Sequence, residues 1–487
     1  MLRAAVYILA EVVIVFTVAS AVSPATLCCD TLSRNPVLQD KVLYPNSSAY
    51  DDRIKDYFAA NAALKPWCMA LPLTSEDASE SMRAITANNC PFGIRGGGHM
   101  VFAGSSSTDH GVTIDLGYMN HTTYDPNTKL ASVRPGGTWA EVYRTLVPHG
   151  VTVTGARSNV VGVGGFLLGG GNSLHAAAYG WACQNVENFE VVLANGSVVD
   201  VNRHSHSDLW LALRGGSANF GLVTRFDMRT IPEPLTWGGG RFWTYNMSDA
   251  VLEVTVKFTD AIEDHVDCSV ESMFGWDPTN TQQPGGMYAV ASLDNVRNEA
   301  FPEGLRDFLA IEGAYDDFLE SRTVLGRTTL GNGVDGLQAV WVTGTYNNDI
   351  RILRYGLKRF EQLYQPLTAP MIRNGDGPNV LGLRNYFEKA GKNSTGMLSV
   401  VLLQVAEPAH LAALERIGQA FQRDMDEHAT ELGINWGWKY LNYADYSEDP
   451  IAGYGEESVE FLREVSRRYD PDGIFQYSRN TGFKLAA

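Results

Sequence analysis

Apolar and polar positions along this chain follow two periodicities, and their arrangement outlines its organisation. Between residues 66 and 235, short alternating runs are interleaved with helical spacings. Residues 77–88 read as a helix, and residues 112–116 and 129–133 as strands. Trp139, Val142, Tyr143 and Leu146 recur at helical spacing, with Gly150 following as a stop. Residues 189–194 and 197–201 flank Asn195-Gly196, a pair that accepts the positive φ angles of a tight turn, so a hairpin is expected. A short helix at 208–213 and a strand at 220–231 complete this region. Pro232-Glu233-Pro234 predicts a boundary. Beyond it, residues 286–293, 337–346 and 397–405 read as strands. Residues 352–364 and 410–431 read as amphipathic helices, with Leu353, Leu357, Phe360 and Tyr364 on one face. Strands accompanied by long helices predict an α+β architecture, an antiparallel sheet covered on one side. An aromatic stretch, residues 436–443, precedes a last helix at 457–469 that carries Val459, Leu462, Val465 and Tyr469 inward.

Composition narrows the function classes. The 487 residues are 45% hydrophobic and 19% charged, which suits a globular protein of two domains. With 38 basic against 55 acidic residues, the formal charge of -17 disfavours nucleic acid and anionic membrane surfaces as partners.

Residues 4–22 form an apolar run behind Arg3, followed by small residues. This reads as a signal peptide over residues 1–23, its rival being an uncleaved membrane anchor. Export gives meaning to Cys28, Cys29, Cys68, Cys90, Cys183 and Cys268; one of Cys28 and Cys29 is expected to pair with Cys68. It also makes Asn46, Asn120, Asn195, Asn246 and Asn393 glycosylation acceptors, each opening an N-x-[ST] sequon. No metal site is expected: there is no C-x-x-C and no H-E-x-x-H.

Candidate chemistry is concentrated in glycine runs: Arg95-Gly96-Gly97-Gly98-His99, Gly162-Val163-Gly164-Gly165 and Gly169-Gly170-Gly171. Glycine lets backbone approach a bulky ligand closely. A basic residue before and a histidine after the first run suggest a phosphate-bearing cofactor whose reactive ring lies beside an imidazole. A nicotinamide fingerprint fails, because Leu167 stands where the third glycine belongs. A P-loop and a G-x-S-x-G elbow are absent.

These runs resemble the FAD-linked oxidases of the vanillyl-alcohol oxidase superfamily, in particular the berberine-bridge-enzyme-like branch common in fungal secondary metabolism. The resemblance takes in Pro66-Trp67-Cys68, the three glycine runs and Pro135-Gly136-Gly137-Thr138-Trp139. It continues through Asp208 to Gly216, Asn219 to Thr224, Tyr440-Leu441-Asn442-Tyr443 and Tyr469-Asp470-Pro471. It implies a two-domain PCMH-type FAD-binding fold, with an N-terminal segment 24–65, an FAD domain 66–235, a substrate domain 236–435 and a C-terminal segment 436–487 that returns to the FAD domain. By resemblance, His99 bonds to the 8α-methyl carbon of the isoalloxazine, and the backbone from Arg95 to Gly98 wraps the pyrophosphate. Cofactor contacts fall on Gly96, Gly97, Gly98, Gly136, Ser158, Val161, Gly162, Gly164, Gly165, Gly169, Gly170, Val223 and Asn442. Ser158 stands where many relatives carry a second tethering cysteine, so a single linkage is expected. Val161 matches a small gatekeeper that leaves room for O2. Gln184 replaces the family's usual aspartate. Tyr440 and Tyr443 are the candidate general bases.

The expectation is a secreted, covalently flavinylated oxidase that passes a hydride from an alcohol, lactol or natural-product ring to FAD and on to O2. Two rivals stand beside it: a dehydrogenase with another electron acceptor, and a non-catalytic binding glycoprotein of the same fold.

Overall fold

The computed structural model describes residues 23–485, apart from 233–234, 277–285, 365–373, 377–380 and 384–394. The expected signal segment (but for Ser23), the proline boundary beyond Pro232 and the Asn393 sequon lie outside the described residues.

Among the described residues, two larger sheets and a two-stranded pairing of Val151–Thr152 with Ile231–Pro232 build the first half. In one, Val42–Leu43 runs antiparallel to Cys68–Ala70, and Cys68–Ala70 and Phe92–Arg95 flank Val112–Asp115 in parallel. The other is antiparallel in the order Thr122–Asp125, Leu130–Val133, Leu222–Arg229, Val186–Val192, Val198–Asn202. Its last two strands form the Asn-Gly hairpin, Val192 opposite Val198. The helix Ser75–Ala87 starts at a reciprocal cap between Thr74 and Asp77, and Trp139–Leu146 at one between Thr138 and Glu141. Trp139, Val142, Tyr143 and Leu146 are buried under the second sheet.

Among the described residues, the second half is a nine-stranded antiparallel sheet. Side chains on a strand alternate between faces, and here the two faces have different tasks. Val270 and Phe274 of Cys268–Trp276, Ala289, Ala291 and Leu293 of Met287–Asn295, and Trp243 of Leu235–Thr244 enter the core. The helices Ser248–Asp260, Ile350–Tyr364 and Leu411–Glu431 close that core. Glu271, Met273, Tyr288, Val290, Ser292 and Phe242 point the other way, into a cavity against the first half.

Both ends of the described chain brace this junction. Asn61 donates to the carbonyls of Val101 and Ala339, tying the N-terminal segment to both halves. Disulfides join Cys29 to Cys68, as expected, and Cys28 to Cys90; Cys183 and Cys268 are free and buried. At the far end, the turn Leu441–Tyr443 reaches the cavity and the helix Glu456–Tyr469 packs on the second sheet.

Candidate active site

A cavity of about 670 Å³ lies between the two halves, within the size range of small-molecule sites. Its floor is bare backbone: Gly96, Gly97, Gly98, Gly162, Gly164 and Gly165 all line it. Gly97 and Gly162 are so close that a Cβ on either would run into the other's main chain, so both positions require glycine. Gly98 turns with φ +67°, and the next residue, His99, lines the cavity. At Gly165, nothing lies within 4 Å of where a Cβ would stand.

His99 stacks on Phe58, ring centroids 4.1 Å apart, and meets the edge of Trp341 at 6.1 Å. Burial pushes its pKa down to about 4. The imidazole is therefore neutral near pH 7 and keeps a lone pair, the form that attacks an electrophilic carbon.

The second chemical group is a relay that spans both halves. Arg157 donates from Nη2 to the Tyr443 hydroxyl at 2.7 Å and from Nη1 to Glu271 Oε2 at 2.6 Å. All three residues line the cavity. Burial raises the Tyr443 pKa above the usual phenol range, while the Arg157 charge pulls against it. Arg157 itself is held protonated: the Glu271 and tyrosine interactions outweigh its burial.

Tyr440 is placed differently. Its hydroxyl accepts from the Gly171 and Asn172 amides at 3.1 and 2.9 Å and from Asn442 Nδ2 at 3.0 Å. Burial raises its pKa strongly. Asn442 also donates to the Phe166 carbonyl, so the Tyr440 hydroxyl is fixed within a cluster of protein donors, whereas the Tyr443 hydroxyl meets Arg157. Ser158 and Val161 line the same wall, with Ser158 donating to Asn332 at 2.9 Å; Val223 lines it from its strand.

Four expected cofactor residues are not on the wall. Gly136, Gly169 and Gly170 serve close packing instead, against the Leu116 carbonyl, the Asn442 side chain, and the Trp181 and Tyr440 rings. Arg95 is fully buried behind the glycine run. It donates to Asp115 at 3.2 Å and Asp56 at 3.1 Å and lies over the Tyr57 ring at 3.9 Å. Its guanidinium anchors the loop and is already paired, so it is not the phosphate-facing cation suggested by its place in the sequence. The sequon residues Asn46, Asn120, Asn195 and Asn246 are exposed.

Nothing in the sequence singled out Arg157, Glu271, Phe58, Trp341, Arg327 or Arg479, all on the cavity wall. Arg157, which directly precedes Ser158, was the nearest to a marked motif. Glu271 sits on a strand whose alternation is interrupted by Ser272 and Met273.

The residues present fit a flavin dinucleotide. Buried polar atoms are almost always hydrogen-bonded, yet Ser105 Oγ, Ser106 Oγ and Asn172 Nδ2, all on residues lining the cavity, have no partner. Arg479 is buried on the same wall. Its donors go to the carbonyls of Phe475, Thr481 and Phe483 and to Asn219, with no carboxylate among them. Burial lowers its pKa to about 9, and a bound diphosphate would supply the missing counter-charge. The bare glycine floor suits a large planar group, and Ser105, Ser106 and Arg479 suit its phosphates.

Comparison with known proteins agrees. Residues 66–202 match the FAD binding domain family. The chain is 36% identical over 486 residues to FAD-dependent monooxygenase sdcF of Emericella nidulans, covering 94% of this chain and 98% of that protein. Among solved structures, berberine bridge enzyme from Eschscholzia californica superposes with TM-score 0.73 at 16% identity, covering 94% of this chain and all of the other (100%). An Acremonium strictum glucooligosaccharide oxidase, whose structure revealed a novel flavinylation, gives 0.73 at 18% identity over 92% and 96% of the two chains.

Proposed function

We propose, from the premise that this chain belongs to the FAD-dependent oxidoreductases built on the berberine-bridge-enzyme type of fold, that it is an oxidase holding FAD through a covalent bond to His99. Its substrate is an alcohol, lactol or hydroxylated natural-product ring. The observation that carries this reading is the Tyr443–Arg157–Glu271 relay, which faces the same cavity as His99 and the glycine floor. When bound, FAD supplies the two-electron acceptor and, through O2, its own reoxidation.

Tyr443 takes the substrate hydroxyl proton. Tyr443 acts from its phenolate form and becomes the neutral phenol on taking that proton; Arg157 stabilises the phenolate before the transfer, and Glu271 keeps Arg157 in place across the domain junction. Phe58 and Trp341 clamp the His99 ring. Val161 keeps the wall beside the glycines slim, which supports access by O2. Oxygen consumption with equimolar hydrogen peroxide tests the oxidase reading.

The name of the Emericella nidulans relative favours a second reading, transfer of an oxygen atom to the substrate. Reaction under heavy-isotope O2 separates the two: label in the product means monooxygenation, and label only in peroxide means oxidation.

We also place the protein outside the cell. Two disulfides and four exposed sequon asparagines support that setting. Secreted material should begin near residue 24 on N-terminal sequencing and lose mass on treatment with an N-glycosidase; an intact Met1 would contradict export with cleavage.

A further inference from the structure

The cavity wall contributed by the central sheet is organised in rows, because paired strands bring residues of one face side by side. Glu271, Ser292 and Gly240 are opposite one another on three adjacent strands. Met273, Val290 and Phe242 form the next row, and Tyr288 belongs to the one after. The first row is polar and the second is wholly apolar. Phe318 packs over Gly240 and lies against Phe242, ring centroids 5.7 Å apart.

Arg327 stands at the polar row. It lies on the helix Val324–Thr329, is 5% exposed and lines the cavity. Its Nε pairs with Asp294 Oδ1. Its Nη2 donates to Asp294 Oδ2 at 2.7 Å and to Ser292 Oγ at 2.5 Å. Its Nη1 makes no hydrogen bond among the described residues and is not a sealed-off orphan atom. A rigid, pre-oriented guanidinium with spare donors in a largely apolar cavity is an acceptor-binding device.

We infer that the substrate is a fused-ring aromatic compound, uncharged or anionic, whose acceptor oxygen is held by Arg327. This rests on the reading of the cavity as an FAD-linked oxidation site. Two other classes fit the wall poorly. A saccharide needs donors and acceptors along its length, and the row of Met273, Val290 and Phe242 provides none. A cationic amine meets the wrong charge: among the described lining residues Arg157, Arg327 and Arg479 outnumber the one acidic residue, Glu271. The flat faces of Phe242, Phe318 and Trp341 suit aromatic rings. Arg327 orients such a compound so that a hydroxyl on one of its saturated, hydrogen-bearing carbons meets Tyr443.

The test is ligand binding to purified holoenzyme, read from perturbation of the flavin's visible absorption. The probes are naphthol, the hydroxynaphthoate with adjacent hydroxyl and carboxylate, cellobiose and phenethylamine. The hydroxynaphthoate should bind at least tenfold tighter than naphthol, and cellobiose and phenethylamine more weakly than either. Removing one member of a buried ion pair strands the other, so Arg327→Lys is accompanied by the double variant Arg327→Met with Asp294→Leu. The double variant should reduce the hydroxynaphthoate advantage to below twofold and leave naphthol within twofold of wild type. Arg327→Lys should lose at least threefold of that advantage. Equal binding of the two naphthalenes by yellow wild-type protein, an advantage that survives in the double variant, or tighter binding of cellobiose or phenethylamine would overturn the assignment. A colourless wild-type protein would overturn the flavin reading beneath it as well.

Discussion

Tyr443 is pulled in two directions. Burial favours the neutral phenol, and Arg157, at 2.7 Å, favours the phenolate. Tyr443→Phe should lower kcat/KM by about 10²–10⁴-fold, the usual worth of a positioned base, with the flavin spectrum unchanged. Because Arg157 lowers the phenol pKa, Arg157→Met should move the ascending limb of the pH profile to higher pH; a limb that stays in place would remove Arg157 from the relay. His99 gives a second pH test. Its pKa is lowered from 6.5 to about 4, so the folded apoprotein keeps the ring neutral across that interval while the unfolded chain binds a proton. Two consequences have the same sign. Apoprotein stability should fall as pH drops from 6.5 towards 4, and flavin attachment should hold its rate down to about pH 5 and fail near 4. A rate that halves at pH 6.5 would mean an ordinary, solvated histidine. His99 and Tyr443 were legible in the sequence because each belongs to a local motif. Arg157 and Glu271, 114 positions apart, meet only through the fold.

The elements that sequence periodicity revealed are those with one clean face. The helices Trp139–Leu146 and Glu456–Tyr469 and the Asn-Gly hairpin begin and end within a residue or a few of their expected positions. The strands Leu235–Thr244 and Cys268–Trp276 leave no clear periodicity in the sequence. The first contains Gly238-Gly239-Gly240, which resembles a turn, and the second carries cavity residues on one face in place of a solvent-facing polar set. Functional faces break the alternation that periodicity depends on. The glycine floor makes its own prediction. Gly97→Ala forces Gly162 away and should cost about 1–3 kcal/mol, as overpacking does, measured by denaturant unfolding. It should also lower the flavin content of purified protein. Retained flavin with unchanged stability would show that the contact is slack.

At the scale of the whole molecule, the site exists only because distant segments converge. The N-terminal segment supplies Phe58, the first half the glycines and His99, the central sheet Glu271, and the C-terminal turn Tyr443. The α+β class and the return of the C-terminus to the first half were legible; the fit of the sheet against the glycine floor was not, because it arises from tertiary contacts with no local signature. The Cys29–Cys68 disulfide, closing 39 residues, anchors the N-terminal segment that carries Phe58. Replacing both cysteines with serine should cost about 2–4 kcal/mol and loosen the clamp on His99, seen as a lower melting temperature and slower flavin attachment. An unchanged melting temperature would show that the segment is held by packing alone.

The most direct test of the central claim is acid precipitation of the purified wild-type protein, with flavin fluorescence followed in pellet and supernatant and the intact mass recorded. A yellow pellet, a mass one FAD above that of the polypeptide, and loss of both in His99→Ala are the expected results. Wild-type flavin released wholly into the supernatant, or protein without flavin at all, would contradict it.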